Sequence, residues 1–265
     1  MYLRLAAALL VLIAWTRAGI ADEICTVIAD VKTGGIVYRE GPCERRAPPQ
    51  SSFKLPLALM GFDSGILSDA HTPRWEYRKE FGGSREVEKR AHDPASWEAD
   101  SVVWFSQELT RKLGTEKFAA YVEAFGYGNR DVSGDPGKDN GLTRAWLSSS
   151  LQISADEQIA FLMRLRARTL PVSDHAFAMT DAIMPSFDVG GWKVQGKTGS
   201  GWLRGADGGL DRSRPVGWFG GWARRNGREI VFTRLFLGDR KRQEYGGMLA
   251  RDGLLADLPA LADRP

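Results

Sequence analysis

The sequence predicts a mixed α/β (α+β) fold, in which an antiparallel sheet of N- and C-terminal strands is flanked by helices and interrupted by an inserted helical region. Short β-branched and aromatic runs occur at 25–31 and 34–40, and again in the last third of the chain. Between them, apolar residues recur at helical spacing. Pairing the first strands with the last ones is the economical way to build one sheet from these segments.

The N-terminal half begins with a hairpin and continues into helices. The two early strands flank a Lys-Thr-Gly-Gly turn at 32–35. A helix is predicted over 51–62, where Pro56 must lie very early or produce a kink, since proline donates no backbone hydrogen bond. Residues 100–129 predict two amphipathic helices that separate at Gly114.

The second half returns from helix to strand. Helices are predicted over 154–167 and 173–184, each with a serine N-cap and acidic residues in the first turn. Strands follow at 191–199, 216–225 and 228–237, the last two joined by a tight Asn-Gly turn. Residues 247–262 predict a final helix.

Residues 1–21 have the pattern of a cleavable export signal. Arg4 precedes an apolar run that ends near Trp15, and small residues stand at Gly19 and Ala21. The apolar run is shorter than the roughly 18–20 residues of a membrane span. We therefore expect a signal peptide at 1–21, a single domain at 22–265 and no later membrane segment.

The charge of the exported chain is close to balanced. Removing Arg4 and Arg17 leaves 34 of the 36 Lys and Arg residues against 33 Asp and Glu. This balance argues against nucleic acid or an anionic membrane as the main partner.

The two cysteines, Cys25 and Cys43, lie early in the exported chain. Export favours a disulfide between them. The alternative is two buried free thiols. Zinc is not expected, because two cysteines without nearby histidines make an incomplete ligand set.

Residues 191–198 match the phosphate-binding pattern G-x-x-x-x-G-K-[ST]. That motif needs a strand before the first glycine and a helix after the Lys-Thr end. Here the four spacer residues form the predicted strand themselves, and no helical pattern follows Thr198. A nucleotide site is therefore not expected.

Histidine-based chemistry has little support. Only His71, His92 and His175 are present, with no G-x-S-x-G elbow and no H-E-x-x-H motif. The acidic stretch 131–142 departs from a calcium loop, with Pro136 in place of the turn glycine and Leu142 in place of the closing glutamate. We interpret it as an ordinary loop, and we expect no metal.

A Ser-Lys pair is the strongest catalytic candidate. Ser51 and Lys54 are three residues apart at a helix start, so they project from the same face. The S-x-x-K pattern alone is weak. Together with K-T-G on a late strand it becomes specific, because both are active-site motifs of the penicillin-recognising serine enzymes.

The sequence resembles the class D serine β-lactamases, the oxacillinases, over nearly the whole exported chain. The resemblance implies the penicillin-recognising serine-enzyme fold. Its motifs occur in the order of that family: SSFK at 51–54, SVV at 101–103, YGN at 127–129, WL at 146–147 and KTG at 197–199.

The resemblance implies that Lys54 reacts with CO2 or bicarbonate to form a carbamate and becomes the general base. An ordinary lysine, with a pKa near 10.4, is a poor base at neutral pH. Carbamylation needs the free amine, which an apolar wall favours by desolvation. Phe53, Val102 or Val103, Trp146 and Leu147 supply that wall, and Trp146 is expected to donate its indole N–H to the carbamate.

The other implied roles surround an acyl-enzyme on Ser51. Ser101 and Lys197 relay a proton to the departing ring nitrogen. The backbone N–H groups of Ser51 and Ser200 bind the oxyanion. The remaining implied substrate-binding residues are Thr198, Gly199 and Arg251, which dock the substrate with Lys197, and Val103 and Leu147, which limit water entry. Tyr127 is expected to be mainly structural. No metal or diffusible cofactor is implied.

Relatives with the same motif pair suggest alternatives. A transpeptidase or carboxypeptidase usually has Asn where this chain has Val103, and a class A lactamase needs an E-x-x-x-N stretch that is absent. A non-hydrolytic β-lactam sensor or penicillin-binding domain is the serious alternative, although such sensors are tethered to membrane helices. The expected location is the periplasm of a Gram-negative bacterium, as a monomer or homodimer.

Overall fold

A computed structural model describes residues 22–263 of the 265-residue chain. The predicted signal peptide at 1–21 therefore lies outside the described residues. The strands are β1 (Glu23–Asp30), β2 (Ile36–Glu40), β3 (Ser186–Val189), β4 (Trp192–Arg204), β5 (Leu210–Arg225) and β6 (Arg228–Leu237). They form one sheet in the order β2-β1-β6-β5-β4-β3, with every neighbouring pair antiparallel. The predicted pairing of the first strands with the last is confirmed.

Helices cover both faces of this sheet and fill the inserted region. They are α1 (Lys54–Asp63), α2 (Pro94–Asp100), α3 (Val103–Leu113), α4 (Thr115–Ala124), α5 (Gly141–Arg144), α6 (Ala155–Arg166), α7 (Asp174–Ile183) and α8 (Gly246–Ala262). None of the helices between residues 22 and 263 has the length and apolar character that crossing a bilayer requires.

The sheet separates two cores because successive strand residues point to opposite faces. On β6, Val231 and Leu235 face a large core shared with α1, α3 and α6, whereas Ile230 and Phe232 face a smaller core shared with α8. The site described below lies on the side of the larger core, where the inserted helices meet β4.

Several local predictions are confirmed. The helix break at Gly114 and the serine N-caps at Ser154 and Ser173 are present. Pro56 lies in the first turn of α1, where its missing N–H costs no hydrogen bond within the helix. The predicted disulfide also forms, joining Cys25 on β1 to Cys43 with 5.1 Å between the Cα atoms.

Other local features differ from the prediction. The helix expected from residue 51 starts as a 3-10 turn, Gln50–Phe53, before α1 begins. The helix expected from residue 100 begins only at Val103, because Ser101 takes a left-handed conformation with φ 56° and separates α3 from α2. The sequence patterns predicted neither α2 nor the short β3.

Candidate active site

Ser51 and Lys54 lie one turn apart where the 3-10 turn runs into α1. Residues three apart eclipse in 3-10 geometry, so both side chains project from the same side. Lys54 Nζ donates to Ser51 Oγ at 3.3 Å. The lysine is fully buried, whereas Ser51 is partly exposed. This arrangement places an amine beside a hydroxyl that a ligand can reach.

A second lysine-serine pair faces the first one. Lys197 on β4 donates from Nζ to Ser101 Oγ at 3.0 Å. The left-handed backbone of Ser101 is costly for a residue with a Cβ, and such conformations concentrate at functional sites. Arg85 supports this conformation, since its Nη2 donates to the carbonyl oxygens of Asp100 and Ser101 at 2.6 and 3.3 Å.

Burial shifts the ionisation of both lysines toward the free amine. Burial and the charge of Lys197 lower the pKa of Lys54 to about 7, against the opposing effect of the Glu98 carboxylate. Burial lowers the pKa of Lys197 to about 8, and Glu98 opposes this shift as well. At neutral pH, Lys54 therefore exchanges readily between ammonium and amine, while Lys197 remains mostly ammonium.

The wall around Lys54 is apolar and aromatic. Phe53 stacks on Trp146 with 5.5 Å between the ring centroids, and its edge meets Tyr127 at 5.2 Å. Val102, like these three, is buried. Among residues 22–263, the buried indole Nε1 of Trp146 has no hydrogen-bond partner. This N–H is therefore free to donate to an added acceptor.

The K-T-G strand approaches the Ser51 turn closely because residue 199 has no side chain. A Cβ on Gly199 would lie 2.5 Å from the carbonyl oxygen of Pro49 and 2.9 Å from the backbone nitrogen of Ser52. Ser200 Oγ accepts a hydrogen bond from the backbone N–H of Gly247, at the start of α8, at 2.9 Å. Thr198 and Ser200 are both partly exposed on the same strand.

Val103 and Leu147 each follow a buried residue of the apolar wall along the chain. Val103 is the first residue of α3, two positions after Ser101, and Leu147 directly follows Trp146. Both are partly exposed. Their partial exposure leaves both side chains accessible to solvent.

Arg251 has contacts outside the two lysine-serine pairs. Its Nε donates to Asp252 at 2.7 Å, and its guanidinium lies 5.6 Å from the ring centroid of Phe187 on β3. The structure therefore brings together Ser51 with Lys54 and Ser101 with Lys197, and within residues 22–263 Arg251 forms no hydrogen bond or ion pair with any of the four.

Glu98 is a charged group of this site that the sequence analysis missed. It lies on α2, one turn before Ser101, and is fully buried. Its only sequence signal was the three-residue spacing from the S-V-V motif.

Within residues 22–263, no cluster of His, Cys, Asp and Glu is arranged to hold a metal ion.

Comparison with known proteins places most of the chain in one family. Residues 24–257 match the family described as the penicillin binding protein transpeptidase domain. The β-lactamase OXA-9 of Klebsiella pneumoniae is 54% identical over 247 residues, covering 91% of this chain and 90% of the relative. The β-lactamase OXA-1 of Escherichia coli is 36% identical, covering 82% and 77%.

The solved structures agree with the sequence relatives. The crystal structure of the OXA-427 class D β-lactamase superposes with a TM-score of 0.85 at 40% identity, covering 90% of this chain and 98% of that protein. The matches cover most of this chain and most of each relative, and they agree with the shared motifs and the six-stranded sheet. The chain therefore belongs to the class D β-lactamases, within the penicillin-binding transpeptidase-domain family.

Proposed function

We propose that this protein hydrolyses the amide bond of penicillin-type β-lactams through an acyl-enzyme on Ser51, with carbamylated Lys54 as general base, and so confers antibiotic resistance. The observation that carries this proposal is the buried amine of Lys54, 3.3 Å from a partly exposed serine hydroxyl. The substrate class is supported by relatives that are named β-lactamases and match most of the chain.

The residues around Lys54 suit a carbamate formed with CO2 or bicarbonate. Lys54 reaches its free-amine form near neutral pH, as carbamylation requires, and Trp146 Nε1 is available to donate to the new anion. When formed, the carbamate supplies a base that works at neutral pH. No metal or diffusible cofactor is part of the proposal.

In the acylation step, Lys197 and Thr198 hold the substrate carboxylate, with Gly199 as the backbone of the same strand and Arg251 as an additional docking residue. Ser51 Oγ gives its proton to modified Lys54 and bonds to the lactam carbonyl carbon. The backbone N–H groups of Ser51 and Ser200 receive the developing oxyanion. A donor of this kind contributes about 3–4 kcal/mol to transition-state stabilisation.

The ring nitrogen needs a proton when the carbon–nitrogen bond breaks. Lys197 Nζ already donates to Ser101 Oγ at 3.0 Å. Ser101 therefore passes its own proton to the nitrogen and takes one from Lys197. Because Lys197 remains mostly ammonium at neutral pH, this relay holds a proton when the bond breaks.

Deacylation requires one water molecule near Ser51. Val103 and Leu147, which are partly exposed, limit access to a small molecule. Modified Lys54 first returns the Ser51 proton to Lys197, which lost one in the relay. It then takes a proton from that water, whose oxygen attacks the acyl carbonyl, and gives this proton to Ser51 Oγ as the acyl–oxygen bond breaks. Multiple turnover distinguishes the enzyme from a sensor that remains acylated.

Nitrocefin, a chromogenic cephalosporin, tests this function directly. We expect many molecules hydrolysed per protein molecule, and loss of hydrolysis in Ser51→Ala. A single stoichiometric burst followed by a stable acyl adduct would instead identify a non-hydrolytic sensor. Activity lost at mildly acidic pH should return on addition of bicarbonate, because protonation of Lys54 below its pKa of about 7 removes the amine that CO2 needs.

We also propose that residues 1–21 direct export to the periplasm and that 22–265 form the working domain. Cell fractionation and N-terminal sequencing of the product test this. A protein that stays in the cytoplasm with residue 1 retained would contradict it. Analytical ultracentrifugation distinguishes the monomer from the homodimer.

A further inference from the structure

Gln50 directly precedes Ser51 and is a buried amide for which the mechanism above has no role. The residue is 3% exposed, and its backbone is left-handed with φ 55°. This conformation is costly for a residue with a Cβ, and such conformations concentrate at functional sites. Its backbone N–H donates to the carbonyl oxygen of Trp146 at 3.0 Å. The turn that carries Ser51 therefore begins at a constrained residue.

The side chain of Gln50 lies over the face of β4 that presents Gly199 and Gly201, since residues two apart share a face of a strand. A Cβ on Gly201 would overlap the amide group of Gln50, and a Cβ on Gly199 would lie 3.2 Å from Gln50 Cβ. Ser200, between these glycines, faces the other side, where its Oγ accepts from the backbone N–H of Gly247. The Gln50 side chain therefore contacts the strand backbone on either side of Ser200.

Two successive hydrogen bonds hold the Gln50 amide at this position. Its Nε2 donates to Ser148 Oγ at 2.5 Å, and Ser148 Oγ donates to the carbonyl oxygen of Trp202 at 2.7 Å. Ser148 is buried and also left-handed, with φ 52°. Its carbonyl oxygen accepts from Arg204 Nε at 2.7 Å. The Ser148 hydroxyl thus joins the residue before the proposed nucleophile to the outer part of β4.

We propose that Gln50 is a positioning residue that sets the spacing of the two oxyanion donors, the backbone N–H groups of Ser51 and Ser200. The inference rests on the proposed function, because it presupposes the oxyanion site. The Ser51 N–H lies in the peptide plane that begins at Gln50, so the backbone conformation of Gln50 sets its direction. The side chain of Gln50 fixes the distance from this plane to the strand backbone at Ser200.

The spacing matters because oxyanion donors act through geometry that exists before the reaction. The nucleophile turn and β4 are separate elements, and each supplies one donor. Without the amide hydrogen bond of Gln50, the two elements can shift relative to each other and one donor leaves the oxyanion position. The role of Gln50 is therefore exerted through Ser51 and Ser200, without contact to the substrate.

Gln50→Met tests this role, because methionine keeps an unbranched side chain of similar length but cannot donate a hydrogen bond. For nitrocefin, kcat/KM per folded molecule should fall about tenfold, less than the loss of about 10²–10³ that removal of an oxyanion donor causes. Gln107→Met is the matched control on α3, where Gln107 Nε2 donates to the carbonyl oxygen of Thr143 at 3.1 Å. Its kcat/KM should equal that of the wild type.

Inhibition by phenylboronic acid reports on the oxyanion site itself. Ser51 Oγ adds to the boron while its proton passes to modified Lys54, and one boron hydroxyl occupies the oxyanion position of the tetrahedral adduct. In Gln50→Met the inhibition constant should rise about tenfold, by the factor through which kcat/KM falls. An inhibition constant that stays at the wild-type value while kcat/KM falls overturns the inference. So does a lower Tm with both quantities unchanged per folded molecule, which is the result of a purely structural role.

Ser148→Gly tests the other end of the same hydrogen bond, since glycine loses the hydroxyl and accepts the left-handed backbone without strain. The double variant of Gln50→Met and Ser148→Gly should be no more impaired than the weaker single variant, because both changes break one contact. Effects that multiply would show that the two side chains act separately, and would overturn the inference. If Gln50→Met fails to fold, Ser148→Gly alone decides, with the same expected changes in kcat/KM and in the boronate inhibition constant.

The outcomes separate this inference from the proposed function. A wild-type protein that neither turns over nitrocefin nor binds phenylboronic acid overturns both. Wild-type turnover and inhibition that are retained in full by Gln50→Met overturn only the role of Gln50.

Discussion

Two buried carboxylates of this protein, Asp135 and Glu98, have opposite surroundings. Asp135 is 8% exposed and Glu98 0%. Asp135 accepts hydrogen bonds from Ser149 at 2.7 Å and Asn140 at 2.9 Å, and it pairs with Arg204 on β4. Glu98 has no such partner within residues 22–263.

The difference in partners reverses the direction of the pKa shift. Burial alone would raise the pKa of Asp135, but hydrogen bonds from Asn140 and Ser149 and the charges of Arg204 and Arg144 hold it below its usual value. For Glu98, burial outweighs the opposing charges of Lys197 and Lys54, so the pKa of this carboxyl is raised. The hydrogen bonds and ion pair of Asp135 therefore stabilise the fold. The buried Lys54 and Glu98 instead cost folding free energy, and shifted pKa values of this kind are typical of functional sites.

The largest expected effect is the loss of activity on replacing Lys54. Lys54→Ala should lower kcat for nitrocefin at least about a thousandfold, because general base catalysis is lost. The free energy of unfolding should change by only about 1 kcal/mol, since the cost of burying the amine disappears with its apolar stem. Lys112→Ala, an exposed lysine on α3, is the matched control. Near-normal hydrolysis in Lys54→Ala would refute its assignment as base.

Asp135→Ala should show the reverse pattern. It should lower the free energy of unfolding by about 2–3 kcal/mol, because Ser149 and Arg204 lose a buried partner. Denaturant unfolding at neutral pH measures this, while kcat per folded molecule should stay near the wild type. Since the pKa of Asp135 is lowered by folding, its stabilisation holds above the usual value of 3.8 and disappears as pH falls through the lowered pKa. Equal stability at neutral pH would contradict the comparison.

Glu98→Met should stabilise the protein, by about 1 kcal/mol at mildly alkaline pH in CO2-depleted buffer. The pKa of Glu98 is raised by folding, so its contribution is most favourable below the usual value of 4.5 and is lost as pH rises through about 7. The gain in Glu98→Met should therefore grow with pH over that range. Thermal unfolding across the range measures it, and a variant less stable than the wild type at every pH would show that Glu98 is structural.

The smallest expected effect is that of Arg251→Ala. A partly exposed charge contributes up to about 1 kcal/mol, so KM for nitrocefin should rise no more than about fivefold, with kcat unchanged. Asp252→Asn, which removes the present partner of Arg251, should not raise KM. An unchanged KM in Arg251→Ala would remove this residue from the docking group.

The sequence predicts the strands, most helices and the Ser51–Lys54 pair because these depend on short-range patterns, whereas the Ser101–Lys197 pair is implied by the family resemblance. The S-x-x-K spacing fixes which face Ser51 and Lys54 share, and the alternation in the late strands fixes which side of the sheet Lys197 occupies. The turn residues Asn226 and Gly227 likewise set the β5–β6 hairpin.

Features set by tertiary contacts were not predictable. The left-handed Ser101 is held by Arg85, sixteen residues away, so nothing in the S-V-V letters signals the helix break. The buried state of Glu98 depends on α2 packing between distant elements. The position of Arg251 depends on where α8 lies over β3, which its helical periodicity does not specify.

The close approach at Gly199 has an evolutionary consequence. The turn that carries Ser51, the proposed nucleophile, and the strand that carries the K-T-G motif meet through main-chain atoms, so a methyl group at residue 199 would force them apart. Selection for activity against new antibiotics can therefore change residues at the outer end of β4, where Trp202 and Leu203 are partly exposed. It must preserve the backbone contact at Gly199. The fold thus leaves residues on the outer part of β4 free to change while it constrains the backbone contact beside the proposed nucleophile.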